Sequence, residues 1–134
     1  MRLLVIASEP VEPKQLADAV GEDLGDAEIR VVTPALNDSR LAFWVSDPDE
    51  AIAEAKSTAQ ESVSRLRADG IAADGDTGES DPVVALEDAL ATFPADRVVI
   101  FRHAAGEEAY LEDDVIDEAR QRLGVPVLAT EVRR

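Results

Sequence analysis

Two strand-like runs in this chain, Leu3-Leu4-Val5-Ile6-Ala7 and Val98-Val99-Ile100-Phe101, are apolar without interruption. A strand with one face in water alternates apolar and polar residues, so unbroken runs of this length mark strands covered on both faces. Between and after them, stretches with helical spacing alternate with further strand-like pieces. That alternation is what a parallel sheet requires, because each crossover returns along a face of the sheet, usually as a helix. The sequence therefore predicts an α/β domain: five strands and four helices, right-handed crossovers, and an open parallel sheet with helices on both faces.

The intervening segments fill this scheme in order. After Glu12-Pro13, Leu16, Val20 and Leu24 fall at helical spacing, with Gly21 and Gly25 near the end of a short first helix. Glu28 to Thr33 reads as the second strand, closed by Pro34. A loop from Ala35 to Ser46 holds Leu36, Leu41, Phe43 and the only tryptophan, Trp44; it reads as a lid folded back over the core, with a partner-binding patch at Phe43 and Trp44 as the alternative. Asp47-Pro48-Asp49-Glu50 combines an N-cap acid, a proline at the first helical position and a glutamate three residues after the cap. The helix it starts carries Ile52, Ala55, Ala59, Val63 and Leu66 on one face and stops at Asp69-Gly70. Ile71 to Thr77 is polar and contains glycine, which suits a sheet edge. A second acid–proline start at Asp81-Pro82 opens a helix with Val83, Leu86, Leu90 and Phe93. Leu111 to Leu123 is the fourth helix, using Leu111, Val115, Ala119 and Leu123, and Pro126 to Thr130 is the last strand.

Composition bounds the chemistry. A chain of 134 residues suits one domain, here residues 1–134, with a core that needs no disulfide or structural metal. It has no cysteine, which removes disulfides and thiolate metal sites. The apolar run at the N-terminus is too short for a signal peptide or membrane span, so the expectation is a soluble cytoplasmic protein with no membrane partner. The net charge of −16 disfavours nucleic acid, whose binding rests on Lys and Arg neutralising phosphates. Carboxylates occur in nearly every segment, and two lysines accompany eleven arginines, which reads as a solubility or high-salt surface.

The candidate site follows the fourth strand. In open α/β sheets ligands are held beyond the carboxyl ends of the strands, and phosphates favour backbone N–H groups at a helix N-terminus. Here the strand from Arg97 to Phe101 leads through Arg102 and His103 to Gly106, then to Glu107, Glu108, Glu112, Asp113, Asp114, Asp117 and Glu118. Phosphate is a poor guest beside so many carboxylates. His103, the only histidine, reads as a hydrogen-bonding or ligand-lining group rather than a catalyst, because no serine, cysteine or aspartate stands at a catalytic spacing. Ser8, Glu9 and Thr33, at the ends of the first two strands, would line the same crevice, turn chemistry and capping being their plainer role. The acids from Glu107 to Glu118 lack a calcium-loop spacing and read as a solvated helix face, so no metal site is expected.

The ordered set of an opening Leu-Leu-Val-Ile strand before Ser8-Glu9-Pro10, a long amphipathic helix ending in Asp69-Gly70, the turn Gly78-Glu79-Ser80-Asp81-Pro82, and the closing Gly124-Val125-Pro126-Val127-Leu128 resembles the universal stress protein family. The resemblance spans essentially the whole chain. It implies a Rossmann-like or flavodoxin-like fold with strand order 3-2-1-4-5, and a homodimer in which the last strand, Pro126 to Val132, pairs or packs across a two-fold. Family members that bind ATP carry an aspartate at the end of the first strand and a glycine-rich run after the fourth. This chain has Ala7 or Ser8 at the first position, and at the second Arg102-His103-Ala104-Ala105-Gly106, with one glycine and no Gly-Ser/Thr after it. Glycine matters there because the backbone must approach phosphate closely and take positive φ. The resemblance thus implies the branch that does not bind ATP: a non-catalytic binding domain in stress response with no cofactor, a protein partner being possible. An adenine-nucleotide-binding member with an altered phosphate loop is the alternative.

Overall fold

The computed structural model describes residues 1–7, 10–21, 24–34, 48–78, 82–103 and 113–132. Five strands, β1 (Arg2–Ile6), β2 (Glu28–Pro34), β3 (Ala72–Gly78), β4 (Arg97–His103) and β5 (Val127–Val132), alternate with helices α1 (Pro13–Val20), α2 (Pro48–Ala68), α3 (Pro82–Thr92) and α4 (Asp113–Arg122). All strand pairs are parallel, in the order β3-β2-β1-β4-β5. The α/β class, the helices on both faces and the strand order expected from the sequence are all present.

The unbroken apolar runs behave as their composition requires. Leu3, Val5 and Ala7 of the first run face one layer, with Val99 and Phe101 of β4, and are buried there under Leu16 and Val20 of α1 and Val63 and Leu66 of α2. Leu4 and Ile6 face the other layer with Val98 and Ile100, under Val83 and Leu86 of α3 and Ile116 and Ala119 of α4. Alternate residues of one strand point to opposite faces, so a strand sandwiched between helical layers must be apolar at every position. Phe101 is the one aromatic among the fully buried side chains of the described residues.

Proline opens three of the four helices, where its fixed φ fits and its missing N–H costs nothing. Gly21 ends α1 at φ 78°, its N–H donating to the Ala17 carbonyl at 2.8 Å. Gly70 ends α2 at φ 80°, the left-handed conformation that glycine adopts without a Cβ penalty. Each helical layer is tied by one arginine. Arg65 of α2 pairs with Glu61 and with Glu12 at the start of α1, and Arg122 of α4 pairs with Glu118 and with Glu87 of α3.

Two details differ from the sequence expectation. β4 runs past Phe101, so Arg102 and His103 are its last two residues, in register with Glu131 and Val132 of β5, and not part of the loop beyond. β5 extends to Val132, the end that the resemblance implies, because parallel pairing with β4 continues past the apolar run. In α4 the stripe includes Ile116, which the sequence expectation did not use; it packs into the core with Ala119, and the expected Leu123 packs against the same cluster. Leu36, Leu41 and the acid caps Asp47 and Asp81 lie outside the described residues.

Candidate functional site at the carboxyl edge of the sheet

The chain adds β2 and β3 on one side of β1, then crosses to build β4 and β5 on the other, so the strand order reverses between β1 and β4. Beyond the carboxyl ends of those two strands the flanking crossovers leave in opposite directions, which opens a crevice. β1 is short. Its last paired residue, Ile6, lies level with Val32 of β2 and Ile100 of β4, while β2 continues two residues further and β4 three. At this level of the sheet Ala7, whose N–H donates to the Val32 carbonyl at 3.1 Å, and Phe101 belong to the buried core.

Thr33 forms the β2 side of this notch. By strand alternation it shares the α1/α2 face with Ile29 and Val31. Thr33 is 2 % exposed, and its Oγ1 has no hydrogen-bond partner among the described residues. A buried hydroxyl without a partner costs on the order of 1–3 kcal/mol, and such orphans recur where a ligand or ordered water completes the bond. Thr33 is in register with Thr77 of β3, and Pro34 with Gly78. The Thr77 N–H donates to the Asp76 carboxylate at 2.8 Å.

On the opposite face of the same two strands the polar groups are satisfied. Arg30 holds Asp74 through Nε and Nη2 at 2.9 and 3.2 Å, donates to Thr92 Oγ1 at 3.2 Å and stacks over Phe93 at 5.1 Å. The hydrogen bonds and charge of Asp74, with Asp76 behind it, hold the Arg30 guanidinium above its ordinary pKa, against a smaller opposing effect of burial. This cluster joins β2, β3 and the end of α3. It is a staple that ties the sheet to the end of α3.

Among the sequence-predicted site residues, Thr33, Arg102 and His103 are placed, at the carboxyl ends of β2 and β4 on the two sides of β1. Ser8, Glu9 and Gly106, and the loop residues Phe43 and Trp44, lie outside the described residues. Ala7 and Phe101, beside the site, are the ordinary buried strand apolars that the sequence makes them. Sequence reading passed over Thr77, whose relation to Thr33 depends on strand register. Among the described residues no group of three or more His, Asp or Glu side chains is arranged to hold a metal ion, and no helix is long and apolar enough to cross a membrane.

No protein-family model matches this sequence, and no curated protein matches it either. Solved structures do match. A universal stress protein from Archaeoglobus fulgidus superposes with a TM-score of 0.60 at 20% identity, covering 96% of this chain and 97% of that one. The Archaeoglobus fulgidus universal stress protein in complex with dAMP gives 0.60 at 19% identity, with 96% of each chain covered. A universal stress protein family member from Burkholderia pseudomallei gives 0.55 at 16% identity, covering 96% of this chain and 94% of that one. The chain has the fold of the universal stress proteins over nearly its whole length.

Proposed function

We propose that this chain is a universal stress protein of the branch lacking the ATP-binding glycine run: a cytoplasmic binding or regulatory domain in stress response that works without turnover, as a homodimer. The observation that carries the reading is the end-to-end agreement of strand order and length with solved universal stress proteins. The absence of ATP is supported by the sequence at the crevice, where Ala7-Ser8 replaces an acid, Gly106 stands alone and carboxylates follow at once. The homodimer is supported by β5, an edge strand with no neighbour on its outer side in the sheet order. The net charge of −16 argues against a nucleic-acid partner.

A second reading is favoured by one finding, the dAMP complex of the Archaeoglobus protein with the same fold. On that reading the crevice holds an adenine nucleotide through an altered phosphate loop, and Thr33 Oγ1 acquires its missing partner from the ligand.

Denaturing the purified protein, identifying released small molecules by mass spectrometry, and titrating ATP, AMP and dAMP calorimetrically separates the two. The first reading expects no released nucleotide and no heat at micromolar protein. Co-purified adenine nucleotide, or sub-micromolar association with ATP at ordinary salt, replaces it with the second. Light scattering tests the dimer, and a monomer at micromolar concentration refutes it.

A further inference from the structure

Six arginines, Arg2, Arg30, Arg65, Arg67, Arg120 and Arg122, help to hold the fold together. Arg30 grips Asp74, Arg65 joins α1 to α2, Arg122 joins α3 to α4, and Arg120 pairs with Asp117 while its Nε reaches the Val127 carbonyl on β5. Arg67 donates to the Ala73 carbonyl on β3 at 2.8 Å, and Arg2 pairs with Glu28. Over the whole chain the acids outnumber the cations 29 to 13, counting lysines. The excess is spread over the surface: Asp18 on α1, Asp26 before β2, Glu54 on α2, Asp69 after it and Asp88 on α3 are exposed and make no ion pair among the described residues. They stand on both helical layers, so no single patch collects them and no bound ion could neutralise them together.

Against this self-repulsion the interior offers small side chains. Eight of the buried core residues are alanines, Ala7, Ala27, Ala55, Ala59, Ala73, Ala85, Ala95 and Ala119, each burying little apolar surface. A compact state carrying −16 is opposed by like-charge repulsion that the expanded chain relieves, and that repulsion is screened by salt.

We infer that ionic strength governs whether this domain is folded: a diffuse cation atmosphere, rather than an ion site, stabilises the compact state, making the protein a salt-conditioned fold. The inference is independent of what occupies the crevice. The screening length falls from about 10 Å at 0.1 M to about 3 Å at 1 M salt, so the repulsion among dispersed carboxylates fades across that interval.

Thermal unfolding followed by circular dichroism in NaCl and in KCl tests it. The midpoint should rise by about 10 °C between about 0.1 M and about 1 M, equally for the two salts. A variant carrying Asp18→Asn, Glu54→Gln, Asp69→Asn and Asp88→Asn, all exposed and unpaired, should melt higher than the parent at low salt and show a shallower rise. A midpoint that is flat or falls with salt overturns the inference. So does a rise that saturates at millimolar MgCl2 while NaCl has no effect, which would mean a bound ion. An unchanged slope in the four-site variant overturns it too, because the salt response would then come from general burial of apolar surface and not from charge.

Discussion

At Gly75 the backbone of β3 lies against α2, and Gly75→Ala measures how tightly that layer is fitted. A Cβ at this position would lie 3.0 Å from Val63 Cγ2, 3.2 Å from Ala59 Cβ and 3.3 Å from the Ala59 carbonyl oxygen. Val63 and Ala59 are themselves buried, and one of the three contacts is backbone, so α2 must lift or β3 must bend. Gly75 itself is exposed, but a methyl group pressed against the buried Ala59 and Val63 overpacks that contact, at a cost of about 1–3 kcal/mol. Removing a glycine from a strand returns about 0.4–1 kcal/mol through the unfolded chain, since the backbone φ here is not positive. The net expectation is a loss of about 1–2 kcal/mol, or a fall of roughly 3–8 °C in the midpoint for a domain of this size. Equilibrium urea unfolding at fixed, high salt reads it directly. The double variant Gly75→Ala/Val63→Ala removes the nearest contact, so it should be less destabilised than the sum of its two single variants. A Gly75→Ala protein as stable as the parent, or an additive cycle, would refute the close-packing argument.

Replacing the orphan hydroxyl by Thr33→Val should stabilise the ligand-free protein by about 1–2 kcal/mol, because a buried unsatisfied oxygen becomes a methyl group of similar shape; a destabilised variant in urea titration would show that the hydroxyl is bonded. Ser62→Ala should cost about 1–3 kcal/mol, since Ser62 Oγ is the acceptor for the buried Val11 N–H at 2.9 Å, and hydrogen exchange at Val11 should speed up in step. Arg30→Ala should cost about 1 kcal/mol, a modest figure because Asp74 is half exposed, and Asp74→Ala combined with it should cost little more. The folded-state pKa of Arg30 is raised, so its contribution is complete below the ordinary arginine range and is lost only as pH climbs past it. The midpoint difference between Arg30→Ala and the parent should therefore stay constant between about pH 6 and 9, and a strong drift across that window would count against the assignment.

The unbroken apolar runs and the proline-opened helices determined the architecture locally. Leu3 to Ala7 has no polar residue to show to water, so it must lie between two layers, and Pro48 and Pro82 begin helices wherever the chain later carries them. Glycine in a polar run marked β3 for the sheet edge, where it lies. Those are properties of single segments, and periodicity reports them.

What only the tertiary structure decided is relational. The strand ends moved with partnership: Arg102, His103, Glu131 and Val132 belong to strands because each has a neighbour in register, a fact no single segment contains. The notch over Ala7 exists because β1 is shorter than the two strands beside it. Thr33 looks like an ordinary strand-end threonine until the sheet and helices close around it and leave its oxygen unpaired. Gly75 reads as a weak strand residue, and only the approach of Ala59 and Val63 makes its missing side chain a requirement. Hydrophobic pattern specifies which side of a segment turns inward, whereas distances between segments depend on every other segment having found its place, and the candidate site is made of such distances.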